Sequence, residues 1–215
     1  MVLLGAMASC AEAPHAPATA PQASTSAVTF PDDSRPLPRY RSRRLSLTLS
    51  LPDGKAWRID DHSRPELVAT HAPTRSRIVV SVFRADGLVG RSQCEDLARA
   101  KKLVPEAPDG RFQIVEDAVA MTQGTFDTRI EVALQPGSGP DRALAGHVMA
   151  FGGFLRKCYV FVYSTEVDSA SDEAALSSRL AFVRSRVLQD LELEPFDVVP
   201  RESIDEPGPK LAPSP

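Results

Sequence analysis

Residues suited to building a local catalytic centre are scarce in these 215 residues. Cysteine occurs 3 times, histidine 4 times, and aromatics make up 6% of the chain. No His-x-x-x-His or Cys-x-x-Cys spacing occurs, so paired metal ligands on one helix or loop are not indicated. No Gly-rich phosphate loop follows a strand and opens a helix, and Gly137-Ser138-Gly139 lacks the Gly-x-Ser-x-Gly form of a nucleophile elbow. Charge of one sign is also lacking. With 25 Lys and Arg against 28 Asp and Glu, the formal net charge is −3, which gives no electrostatic case for nucleic acid. No apolar run approaches the roughly 20 residues of a membrane-spanning helix.

Proline, by contrast, is abundant: 19 residues, many in the first 40 positions or the last 20. The ends therefore differ in kind from the middle. Residues 1–10 form an apolar leader ending in Ala8-Ser9-Cys10. Small residues suit the narrow pocket of a signal peptidase. A cysteine directly after them resembles the lipobox of bacterial lipoproteins, with Met7 standing where leucine is more usual. The resemblance implies lipidation at Cys10, and Ala11 in the next position implies the outer membrane. No Lys or Arg precedes Cys10, and the expectation is that translation starts further upstream.

Residues 11–43 read as a tether. Ala, Pro, Ser and Thr dominate its first part, too little apolar surface to offset the entropy of ordering it. Arg35, Arg39, Arg41, Arg43 and Arg44 follow. They read either as a solvated lead-in to the first strand or as a patch drawn to anionic lipid or polysaccharide. Residues 197–215 read as a second tail.

That leaves residues 44–196 for a single domain with its own core. Leu45, Leu47, Leu49 and Leu51 alternate with small polar residues, the period of a half-buried strand, and Pro52-Asp53-Gly54 ends it. Strands are expected around Trp57 and Ile59, over 67–72 and over 77–84. Ser92-x-x-Glu95 has the form of a capping box opening a helix that stops before Pro105. Two hairpins follow, 112–121 with 126–134 around Gly124, and 144–151 with 154–163 around Gly152-Gly153. Ser171 is expected to cap a last helix whose Leu176, Leu180, Val183, Val187 and Leu191 share one face. Hairpins with helices between strand groups give an α+β fold, an antiparallel sheet flanked by two helices.

The Leu51-Pro52-Asp53-Gly54 opening followed by Trp57, with this element order, resembles the Mog1/PsbP-like α/β/α sandwich and the small bacterial lipoproteins related to DcrB. The resemblance covers about residues 44–194. It implies partner binding rather than catalysis and transfers no defined set of functional residues.

Setting aside Cys10 leaves Cys94 and Cys158 as a pair. An oxidising compartment would let them join if the first helix packs across the strand carrying Cys158; two separate buried thiols are the alternative. Asp60-Asp61-His62 invites a metal reading, but a polar turn after Trp57 explains it more simply. Phe151 and Phe154 flank the expected Gly-Gly turn and are candidate partner contacts at a hairpin tip.

The chain is thus expected to be a non-enzymatic envelope lipoprotein without cofactor or metal. Its lipid anchor would hold it to the membrane, and its domain would bind another envelope protein or polymer. A small-ligand carrier, an unrecognised hydrolase and an adaptor or chaperone for a secreted protein are the alternatives. Mass spectrometry of the mature N-terminus should find Cys10 diacylated or triacylated; an unmodified Cys10 would remove the anchor.

Overall fold

The leucine alternation folds as a strand, but a shorter one than its pattern implies. Residues 43–46 form a turn with Ser46 left-handed at φ 51°, so the strand begins only at Leu47. The computed structural model describes residues 28–30, 36–106, 112–122, 126–136 and 143–193. Cys10, residues 11–27 and the tail 197–215 lie outside them. Ordered structure starts ahead of the expected boundary at 44. Phe30 and Leu37 are buried, and strand β1 (Arg39–Ser42) pairs antiparallel with β2 (Leu47–Ser50).

Much of the basic stretch thereby becomes structural. Arg44 donates from Nε to the Asp61 carbonyl at 2.7 Å and from Nη2 to Asp61 Oδ1 at 3.1 Å. Asp61 is buried and also accepts from the hydroxyls of Ser42 and Tyr40. Arg39 pairs with Glu192. These arginines are committed within the fold, which leaves less of the stretch for a lipid surface.

Seven strands form one antiparallel sheet: β3 (Trp57–Asp60), β4 (Leu67–His71), β5 (Ser76–Arg84), β6 (Gln113–Thr122), β7 (Phe126–Pro136), β8 (Leu144–Phe154) and β9 (Lys157–Val167). Their spatial order is β3-β4-β5-β9-β8-β7-β6, so the late strand β9 lies at the centre. A smaller sheet has the order β1-β2-β10, with β10 at Glu192–Leu193. Helix α1 (Arg91–Ala100) packs on one face of the large sheet, over Ala133, Met149, Phe151, Val160 and Val162. Helix α2 (Glu173–Phe182) and the small sheet cover the other face, where the four leucines of the β2 region meet Val148, Phe161 and Tyr163. This is an α+β fold with the antiparallel sheet between two helices. Alternation along β8 and β9 serves both layers, because successive side chains point to opposite faces.

Two helix starts differ from expectation. Gly90, not Ser92, precedes α1, and its N–H donates to Gln93 Oε1 at 3.0 Å. Glu95 is left free for ion pairs. A short 3₁₀ turn leads into α2, and Ser169, not Ser171, caps it by accepting from the Ser171 N–H. The five apolar residues assigned to one helical face are all buried, although Val183–Val187 is a π-helical turn rather than α-helix.

The second hairpin also turns later than expected. β8 runs straight through Gly152 and Gly153, and the turn falls at Leu155, which is left-handed at φ 53°. The glycines serve close approach instead. A Cβ on Gly152 would lie 1.9 Å from the Tyr159 ring, and one on Gly153 would lie 2.6 Å from the Gly90 carbonyl carbon. The Tyr159 ring reaches across Gly152 to place its hydroxyl 2.7 Å from Thr128 Oγ1 on the next strand.

Cys94 and Cys158 are disulfide-bonded, tying the first turn of α1 to the central strand. With the cysteines 64 positions apart, the chain-entropy relation gives about 4 kcal/mol of stabilisation. Native protein should show no titratable thiol at either position. A Cys94→Ala/Cys158→Ala double variant should melt roughly 10 °C lower in calorimetry; an unchanged midpoint would show that the bond adds nothing to folding.

Candidate functional site

The expected partner contacts are not brought together. Because β8 is continuous to Phe154, residues three apart point to opposite faces. Phe151 lies fully buried beneath α1, with the Arg99 guanidinium 5.6 Å from its ring centre. Phe154 is half-buried on the other face, 5.7 Å from Phe126. Neither therefore forms an exposed aromatic tip. The hairpin end instead presents Leu155, with Leu88 close by because the Val89 N–H donates to the Leu155 carbonyl.

Asp60 and Asp61 do not form a metal site. Asp60 accepts the N–H groups of His62 and Ser63 and the Ser63 hydroxyl, and these bonds hold its carboxyl at about 2. Asp61 faces the other way, into Arg44, Ser42 and Tyr40. Among the described residues no group of three His, Cys, Asp or Glu side chains could hold a metal ion.

Exposed apolar surface gathers elsewhere, on β6. Ile114 (46%), Val115 (50%), Val119 (59%) and Met121 (65%) are four of the seven large apolar residues exposed among those described. β6 is an edge strand, and among the described residues no strand pairs with its outer side. Natural sheets blunt such edges with bulges and charges. Here those devices occupy only the first half. The register slips between Ile114 and Glu116, Glu116 pairs with Arg184, and Asp117 pairs with Arg129 at 2.8 Å. Residues 118–122, Ala-Val-Ala-Met-Thr, carry no charge. Beside them runs a cleft of about 350 Å³ lined by Ala118, Ala120, Met121, Ile130, Arg184 and Leu188.

An ion network stiffens the sheet behind this edge. Arg129 on β7 reaches Asp117, Glu95 and Glu131, while Arg99 on α1 reaches Glu95 and Glu131. Hydrogen bonds from Arg129 pull the Asp117 carboxyl down, and Asp117 and Glu95 hold the Arg129 guanidinium firmly charged. The alternating carboxylates and guanidiniums were present in the sequence, but their convergence needs the β6–β7 register and α1 together.

His147 is the other feature not singled out from the sequence. It is 5% exposed, its Nδ1 lies 2.9 Å from Ser164 Oγ, and Phe112 packs edge-on 5.5 Å away. Burial pushes its imidazole down to about 4. Its Nε2 has no hydrogen-bond partner among the described residues, so no third group orients the ring as a catalytic base would require. The geometry fits a neutral histidine that fixes a serine hydroxyl.

No protein-family profile and no curated protein sequence matches this chain. Among solved structures it is similar to a Bacteroides thetaiotaomicron protein at TM-score 0.45 and 10% identity, over 75% of this chain and 50% of that one. The chain thus spans half the length of that protein. It is equally similar to cyanobacterial PsbP (CyanoP) from Synechocystis sp. PCC 6803, at TM-score 0.45 and 10% identity over 74% of this chain and 93% of that one. These are likenesses of chain trace alone and carry no family assignment.

His147 gives a stability signature. Its native pKa lies below the ordinary value of 6.5, so the unfolded chain takes up a proton first as pH falls. The His147 contribution should reduce stability between pH 6.5 and 4 by up to about 3 kcal/mol, and below that range the depressed carboxylates of Asp60 and Asp117 take over the decline. Urea denaturation of His147→Gln should lose most of that slope, leaving the smaller contribution of buried His71, which shifts the same way. An equal slope in the variant would rule out His147 as its source.

Proposed function

We propose that this chain is a non-catalytic, lipid-anchored envelope protein whose domain recruits a protein partner by strand addition at β6. The observation that carries the proposal is the uncharged, apolar second half of an edge strand whose outer side is unpaired among the described residues. An incoming extended segment would satisfy the free backbone N–H and C=O groups of β6. Its apolar side chains would cover Val119 and Met121 and enter the cleft beside Leu188. The partner is therefore a protein offering an exposed or disordered β-prone segment with few charges.

The Ala8-Ser9-Cys10 leader and the resemblance to Mog1/PsbP-like lipoproteins support the anchored, non-enzymatic part of this reading. So does a disulfide, which fits an oxidising compartment outside the cytosol.

A photo-crosslinking residue placed at Val119 or Met121 in intact cells should trap a defined protein, whereas one at exposed Arg58 on the opposite edge strand should not. Val119→Lys should abolish the capture while leaving the melting temperature within about 2 °C, since surface substitutions cost little. Equal labelling from both edges, or capture unaffected by Val119→Lys, would exclude β6 as the docking strand. Trapping only a second copy of the chain would turn the reading into self-association.

A further inference from the structure

On the α1 face, away from β6, the strands β4, β5 and β9 and the segment after α1 enclose a groove of about 380 Å³. Its floor is apolar. Val68, Val79 and Val162 form one cross-strand row, since Val68 pairs with Val79 and Val79 with Val162. Leu103, Val104 and Pro105 supply the wall. The adjacent row is polar: Arg77 stands opposite Ser164, and Ser164 opposite His147.

Two cations line this groove. The side chains of Arg77 and Lys102 are exposed and neither ion-pairs nor hydrogen-bonds among the described residues. Exposed Arg43, Lys55 and Arg58 are likewise without a side-chain partner among the described residues; what distinguishes Arg77 and Lys102 is that both line one apolar groove. The carboxylate in the lining, Glu66, lies two cross-strand rows from Arg77, roughly 13 Å along the strand direction. The carbonyls of Leu97, Ala98 and Arg99 near the end of α1 already accept, from the N–H groups of Lys101, Leu103 and Lys102. The helix C-terminus favours cations, so the side chains of Arg77 and Lys102 must supply the attraction for an anion. Ser164 adds a hydroxyl: with the Nδ1–H of His147 donating to its Oγ, the tautomer that leaves Nε2 without a proton where it has no partner among the described residues, the Ser164 O–H is left to donate to a ligand.

We propose that this groove binds a small amphipathic anion, its hydrocarbon part on the valine row and its carboxylate or phosphate head held by Arg77, Lys102 and the Ser164 hydroxyl. The arrangement is that of a ligand site: mostly apolar lining with a few convergent polar groups that set orientation. Carboxylate and phosphate share the needed chemistry, a compact anion that accepts from a guanidinium, an ammonium and a hydroxyl. The site is independent of the β6 edge and stands or falls without it.

The test uses the full chain, labelled with nitrogen-15 and titrated in separate arms with octanoate, octyl phosphate, octanol and acetate. Octanoate or octyl phosphate should give saturable shifts at Val68, Val79, Val162 and Ser164, and the tighter of the two identifies the head group. Octanol, which keeps the tail without the charge, should bind at least 10-fold more weakly, and acetate should not saturate. Arg77→Gln and Lys102→Gln should each weaken binding about 10-fold with an unchanged melting temperature, because both side chains are exposed. Val79→Trp should block the groove while the amide spectrum stays dispersed. Octanol binding as tightly as octanoate, shifts centred away from the groove, or full affinity in both charge variants would overturn the proposal.

Discussion

A buried arginine sets the terms for one half of this molecule. Arg179 on α2 is 3% exposed, and no carboxylate pairs with it among the described residues. Burial pulls its guanidinium below the usual arginine range, the expected direction for a charge removed from water. Such a charge is tolerable inside a fold only when its donors are met. Arg179 meets them with the carbonyls of Val28, Thr74 and Glu166 and with Thr165 Oγ1. Three separate segments must therefore converge on this one side chain of α2: the start of the described chain, the turn after β4, and the end of β9.

Around that point the neighbouring contacts fall into order. Thr74, Ser76, Thr165 and Tyr163 link their hydroxyls in a buried chain that reaches His71. Phe30 lies between Trp57, His71 and Phe182. The segment read as a tether is thus partly a structural strap. The opposite face is organised by the Cys94–Cys158 bond, with Gly153 letting the Gly90 backbone approach the sheet. β9 is central because it serves both arrangements: its even-numbered residues face α1, and its odd-numbered residues face α2.

Such a sheet is covered best at its middle and least at its margins. The two candidate sites lie where the cover stops: at the β6 edge, and over β4, β5 and β9 where α1 has ended. Both are places where apolar side chains remain half-exposed while nearby polar groups are already fixed. The ion network beneath β6 and the His147–Ser164 pair beside the groove each hold a surface in one shape. Binding to a surface held this way costs less ordering entropy than binding to a mobile one.

The α+β class, the antiparallel hairpins, both helices and the apolar face of the last helix were legible in the sequence. Each rests on a local period or on turn chemistry that acts over a few residues. The Cys94–Cys158 pairing was legible only as a possibility, since thiols 64 positions apart bond only if packing brings them together. Local rules misplaced the second turn, because Gly152 and Gly153 answer to Tyr159 and Gly90 rather than to a bend. They also joined two aromatics that the fold separates. Phe151 and Phe154 are neighbours in sequence but lie on opposite faces once β8 continues through the glycines. The groove joins strands that begin at positions 67, 76 and 157 to the end of α1. The sequence by itself determined the class of fold and the elements. Tertiary structure alone decided which side chains share a surface, because sheet order and register are set by long-range pairing that no local pattern encodes.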